Sequence, residues 1–114
     1  MIDSYRFGRI SINRKPYTKD VIIFPDRVQA NWWRKEGHLL QLDDIVSAIE
    51  EANPADVVVG RGKFGMMAIS SEVKEYLQSK DIVLHAEKSD KAIGIFNQFV
   101  SSGKCVLGAF HLTC

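Results

Sequence analysis

A chain of 114 residues, 46% hydrophobic and 25% charged, has the size and composition of one ordinary globular domain spanning residues 1–114. Its 15 basic and 14 acidic residues leave a formal net charge of +1, without the basic excess that a general nucleic-acid binder carries. A chain of this length buries roughly two thirds of its unfolded surface, so neither disulfides nor a structural metal is required as a staple.

The first third reads as a β-meander. Tyr5 and Phe7 alternate, the apolar phase then shifts to Ile10 and Ile12, and Gly8 at the shift predicts a bulge. Asn13–Pro16 is a turn, and residues 17–24 form the return strand, ending in the apolar run Val21-Ile22-Ile23-Phe24. After Pro25-Asp26, the apolar residues Val28, Ala30 and Trp32 alternate with Gln29 and Asn31, as in a half-buried strand. That parity puts Trp32 in the core and Trp33 on the opposite, polar face.

From Asp43 the period becomes helical. Asp43 reads as the N-cap, Ile45, Val46, Ile49 and Ala52 form the apolar stripe, and Asn53-Pro54 stops it. Residues 56–59 are a β-branched strand buried on both faces. A helix capped at Ser70 or Ser71 runs to about Ser79, and a buried strand follows over residues 82–85. Ser89 caps a helix that ends at Gly103, and residues 105–113 form a last strand, apolar on both faces and therefore central. Strand, helix, strand, helix, strand from Asp56 onward is the pattern of an α/β sheet with crossover helices.

Gly60, Gly62 and Gly65 spell G-x-G-x-x-G after a buried strand, and Glu87 stands 22 residues after the third glycine. This is the outline of a dinucleotide fingerprint. The fingerprint requires a helix to begin inside the motif so that its amides meet the pyrophosphate. Here Met66-Met67-Ala68-Ile69 precedes the first helix cap, and Lys63-Phe64 puts bulk where small residues pack. The glycines therefore read first as a strand terminus with positive φ angles, and second as a small-anion loop flanked by Arg61 and Lys63.

The stretches at residues 4–10, 20–25, 32–38, 58–62 and 111–114 together resemble the Mth938-like domain family, which also includes an adipogenesis-associated protein and a mitochondrial complex I assembly factor. The specific pair is Trp33-Arg34-Lys35-Glu36-Gly37-His38 with His111-Leu112-Thr113-Cys114. The resemblance implies a three-layer α/β fold: a central mixed sheet with crossover helices, and an extra β layer from the N-terminal meander. It implies no established activity. Arg61, where many members have Thr, changes the charge of any loop pocket; Lys88-Ser89, where they have Pro-Thr, keeps a hydroxyl for capping.

Two functional expectations follow. The first is a non-catalytic protein-binding or assembly module, acting through Trp33 and the meander edge on a protein partner or as a homodimer. The second is a small anionic ligand held between Trp33, Arg34, Lys35 and His38 on one side and Gly60, Arg61, Gly62 and Lys63 on the other, with His38 available as acid or base. No catalytic set, cofactor or metal site is predicted. His111 and Cys114, three apart on a strand, face opposite sides, and the carboxylate of a C-terminal Cys114 would oppose its thiolate. Cys105 and Cys114 lie roughly 30 Å apart on an extended strand, beyond disulfide reach. Free thiols, no signal-like start and no apolar run of about 18 residues predict a cytoplasmic protein without membrane insertion.

Overall fold

The computed structural model describes residues 1–114. Its centre is a five-stranded mixed sheet, in spatial order β5 (Val28–Gln29), β4 (Val21–Ile23), β10 (Val106–His111), β7 (Asp56–Arg61) and β9 (Val83–Glu87). The β10, β7 and β9 strands are parallel, and β4 runs antiparallel to β10. Alternation along the inner strands divides the core into two faces. Ile22, Val57, Val59, Leu107 and Ala109 point to one, where they pack with Trp32, Leu40, Ile49, Val73 and Leu77. Val21, Ile23, Val58, Val106 and Phe110 point to the other, against Ile10, Ile12, Ala92, Phe96 and Leu112.

Three layers result, as the family resemblance implies. Helices α1 (Val46–Ala52) and α2 (Ser71–Ser79) supply residues to the first face, and α3 (Ser89–Ser101) covers the second. Beside α3 lies an N-terminal antiparallel sheet of β1 (Ile2–Arg6), β2 (Arg9–Ile12) and β3 (Lys15–Tyr17). Asn97 of α3 ties that sheet down with its side-chain amide. The Ile2 N–H donates to its Oδ1, and its Nδ2 donates to the Ile2 carbonyl, both at 2.8 Å. A two-residue parallel pair, β6 (Leu39–Leu40) with β8 (Ala68–Ile69), joins the segment before α1 to the segment before α2. No helix is long and apolar enough to cross a membrane.

Several elements differ from the sequence expectation. The 17–24 strand is two strands in two sheets, because Thr18–Asp20 carries the chain from β3 to β4. Gly8 sits in the β1–β2 turn at φ +79°, and the irregular register falls between Ile2 and Ser4. The strand expected over 28–32 stops at Gln29, since Asn31 is left-handed at φ 55°. Trp32 is nevertheless buried and Trp33 is 77% exposed. A 3₁₀ turn at Leu42–Asp44 precedes α1, and the Asp44 carboxylate, not that of Asp43, accepts the Gln41 N–H. The strand expected to be buried over 82–85 is the sheet edge β9, with Val83 half exposed. Ser70 caps α2 as expected, but Lys88 occupies the N-cap of α3. Ser89 is fully buried and serves elsewhere.

Packing is tight around Gly108 at the middle of β10. A Cβ there would stand 2.8 Å from the rings of both Phe96 and Phe110, whereas one on Gly94, on the open side of α3, meets nothing. Gly108→Ala is expected to cost about 1–3 kcal/mol by overpacking. Gly94→Ala is expected to add about 0.5–1 kcal/mol through helix propensity. Melting temperatures of the two variants should therefore move in opposite directions; a shift of the same sign in both contradicts this account.

Candidate functional site

The parallel strands β7 and β10 finish at the same end of the sheet, where open α/β sheets commonly place their ligands. Asp20, just before β4, organises this end. Its Oδ1 accepts the Leu112 N–H at 2.9 Å, and its Oδ2 lies 2.8 Å from His111 Nδ1 and 2.8 Å from Arg34 Nη1. Arg34 is 7% exposed and stacks over the Trp32 indole at 4.7 Å, with Nη2 donating to the Gly37 carbonyl at 2.8 Å. The Nη1 contact with Asp20 is close but poorly directed for a hydrogen bond, and Arg34 Nε and His111 Nε2 are buried without a partner.

His111 Nδ1 also lies 3.1 Å from Arg34 Nη2. One nitrogen cannot donate to a carboxylate and accept from a guanidinium at once. The shorter contact, to a carboxylate, directs the Nδ1 proton toward Asp20. The exposed His38 ring stands edge-on to His111 at 5.8 Å, and its Nε2 is 3.9 Å from Cys114 Sγ.

Above this cluster is a cleft of about 420 Å³ walled by Trp33 and Trp32 and bordered by Thr18, Lys19, Asn31 and Thr113, with Asp20 and His111 beneath. Lys19 makes no ion pair. The sequence expectation named Trp33 among these residues but neither Lys19, Asp20 nor Thr113.

The eight residues expected to share an anion pocket are distributed differently. Trp33 lines the cleft, but Arg34 lies buried beneath it. Lys35 is exposed, and its backbone N–H donates to Asp44 Oδ1 at 3.2 Å. Arg61 folds back into its own loop, Nε donating to the Met67 carbonyl at 2.8 Å and Nη2 to that of Gly65 at 3.0 Å. Lys63 Nζ pairs with Asp90 at 2.9 Å. Gly60 packs against Phe110 and Ser89, where a Cβ would stand 2.6 and 2.7 Å away.

The amides of the glycine loop are engaged by the chain itself. Gly62, at φ +95°, donates to Ser89 Oγ, and the Ser89 hydroxyl donates to the His111 carbonyl. Lys63 N donates to the Thr113 carbonyl at 2.7 Å and Met66 N to that of Cys114 at 3.1 Å. The C-terminal residues thus occupy the concavity that an anion would need.

At the opposite end of the sheet, buried Asp56 is held by His85 Nε2 at 3.0 Å and Lys104 Nζ at 3.1 Å. Burial works against ionisation of both Asp20 and Asp56. The surrounding donors and cations outweigh it, so both carboxyls stay below the ordinary aspartate pKa. A lowered folded pKa stabilises the protein above the unfolded value of about 3.9, and that stability is lost as pH falls through the folded value. Asp20→Asn is therefore expected to cost about 2–4 kcal/mol at pH 7, by leaving Arg34 buried and unpaired. The cost should stay constant down to about pH 4 and then shrink, by at most about 1 kcal/mol at pH 3. Urea unfolding at the two pH values checks this, and an equal cost at both contradicts it.

Comparison with known proteins agrees with this architecture. Residues 2–111 match the family model described as "Protein of unknown function (DUF498/DUF598)". Protein PH1505 from Pyrococcus horikoshii OT3 superposes with a TM-score of 0.84 at 22% identity, covering 100% of this chain and 99% of that one. Protein XCC1710 from Xanthomonas campestris gives a TM-score of 0.81 at 20% identity, over 98% and 83%. A protein from Bordetella pertussis, described as a Mth938-like domain, gives 0.72 at 16% identity, over 98% and 85%. With the mixed sheet, the N-terminal β layer and a match over nearly its whole length, the chain belongs to the DUF498/DUF598 family of Mth938-like domains, a family of unknown function.

Proposed function

We propose that the protein is a binding module whose ligand is a small anion with a flat apolar body, such as an aromatic carboxylate, seated in the Trp33 cleft. The observation that carries this reading is Trp33 itself. At 77% its indole is the most exposed large hydrophobic side chain of the protein. Here it forms the wall of a cleft whose free charge is the Lys19 ammonium and whose other polar edges are Thr18, Asn31 and Thr113. A stacking surface beside convergent polar groups is the usual make-up of a small-molecule site.

The cluster beneath suits binding better than turnover. Asp20 is satisfied by Leu112, His111 and Arg34 together, and His111 Nε2 is buried. The trio forms a floor whose members adjoin Trp33 and lie close to Thr113 along the chain, and His111 keeps its Nε2 buried rather than presented to the cleft. This reading keeps the ligand class expected for a pocket between the Trp32–His38 segment and the Gly60–Gly65 loop, and moves it to the neighbouring cleft.

Acetate, benzoate and inorganic phosphate at millimolar concentration are the probes that test the reading. Benzoate is expected to bind with a Kd of about 1 mM, since a ligand of that size gains roughly 0.3–0.5 kcal/mol per heavy atom. It should perturb the Trp33 indole N–H resonance more than acetate or phosphate does. Trp33→Ala should remove the advantage of benzoate over acetate, and Lys19→Glu should weaken all three. A Trp33 resonance unmoved by every probe overturns the proposal.

A further inference from the structure

A second surface lies across the C-terminal residues from the cleft. Phe7, Phe64 and Met66 are each more than half exposed, and the Phe7 and Phe64 rings stand 6.4 Å apart at 47°. Neither aromatic is on a loose loop. The Gly8 N–H donates to the Leu112 carbonyl at 2.9 Å, which anchors the turn carrying Phe7. Lys63 N and Met66 N donate to the Thr113 and Cys114 carbonyls, which anchor the loop carrying Phe64. Two turns far apart in sequence are thus clamped side by side on one short stretch of backbone, with their apolar tips outward.

The rim of this patch is basic. Arg6 and Arg9 are exposed cross-strand partners on either side of the Phe7–Gly8 turn. The exposed Lys88 runs alongside Gly65, where a Cβ would stand 3.3 Å from its Cγ. Lys63 is matched by Asp90, whereas Arg6, Arg9 and Lys88 have no ionic partner. Three unpaired cations therefore frame a preorganised apolar pair.

We infer that this patch is a docking surface for an acidic segment of a partner protein, one that presents large apolar side chains between carboxylates. Aromatic anchors within a ring of complementary charge are the usual composition of an interaction hot spot. A second copy of this chain fits poorly, because a two-fold interface built on this patch would bring the basic rims of both copies together. A membrane surface fits less well, since three apolar side chains on turns compare with one acyl chain, which alone gives only marginal binding. The inference stands apart from the cleft, which uses a different set of side chains.

The test is a short fluorescent peptide with two phenylalanines among glutamates, titrated by anisotropy, beside an analogue with lysines in place of the glutamates. The acidic peptide should bind with a Kd of about 10–100 μM, weakening as salt rises, and the lysine analogue should not bind. Phe64→Glu and the Arg6→Glu/Arg9→Glu pair should each weaken binding at least about tenfold while keeping the wild-type melting temperature. Lys19→Glu, in the cleft, should leave it unchanged. Absence of peptide binding at millimolar concentration overturns the inference. So does equal binding of the lysine analogue, or a dimer in sedimentation velocity that Phe64→Glu abolishes. Sedimentation with phosphatidylserine vesicles, lost in Phe64→Glu and unaccompanied by peptide binding, would reassign the surface to lipid.

Discussion

The end of β10 imposes the constraint on which the rest of this molecule depends. β10 is central and buried on both faces, so the polar groups where it leaves the sheet have no water to turn to. Asp20 resolves this with one carboxylate, taking the Leu112 N–H and the His111 imidazole of β10 together with Arg34. A buried ion pair is not by itself a strong net stabiliser, because desolvation offsets most of the attraction. Its effect here is positional. With Arg34 drawn inward and Trp32 donating its indole N–H to the Asp44 carbonyl at 3.0 Å, the residue between them has nowhere to go but out. The exposure of Trp33 is thus a consequence of the burial of its two neighbours, and the cleft follows from it.

Much of the fold was legible because its signals are local. The runs at β7 and β10 are apolar at successive positions, as strands covered on both faces must be. Ser70 announces α2, Gly103 at φ +77° follows α3, and the in–out parity of Trp32 and Trp33 survives although their strand does not. Readings failed where a distant partner decides the outcome. Nothing within residues 17–24 says that the chain changes sheets at Thr18–Asp20. Ser89 has the composition of a cap, yet its hydroxyl bridges Gly62 and β10, and both partners lie more than twenty residues away. The candidate site shows this most clearly, since Arg34 reads as a pocket cation beside Lys35 until Asp20 is known to lie against it.

The glycine loop shows the same limit from the other direction. Its G-x-G-x-x-G spacing is real, and positive φ angles at Gly62 and Gly65 confirm that the backbone takes the shape such spacing allows. A phosphate-binding loop needs that shape with its amides free and a helix starting beneath them. In this chain the amides of Gly62, Lys63 and Met66 point at Ser89 and at the Thr113 and Cys114 carbonyls, and α2 begins only at Ser71. The backbone at the end of the chain fills the role an anion plays elsewhere. A Cβ on Gly62 would lie 2.6 Å from the Cys114 carbonyl oxygen, so the glycine is required by that intramolecular contact alone.

The cleft and the apolar patch therefore share a support. Leu112 is held from both sides: Asp20 accepts its N–H, while Gly8 N and the Tyr5 hydroxyl donate to its carbonyl at 2.9 and 2.8 Å. Burial, with the Asp90 carboxylate adding to it, raises the Tyr5 pKa to about 12, so the phenol remains a donor throughout the physiological range. A residue pinned this way has one arrangement rather than two, and coupling between sites needs an element with two. The two surfaces are accordingly structurally independent, and exposed substitutions on one should add to those on the other rather than modulate them. Rigidity at Leu112 gives a small domain two separate faces at one end of a single sheet.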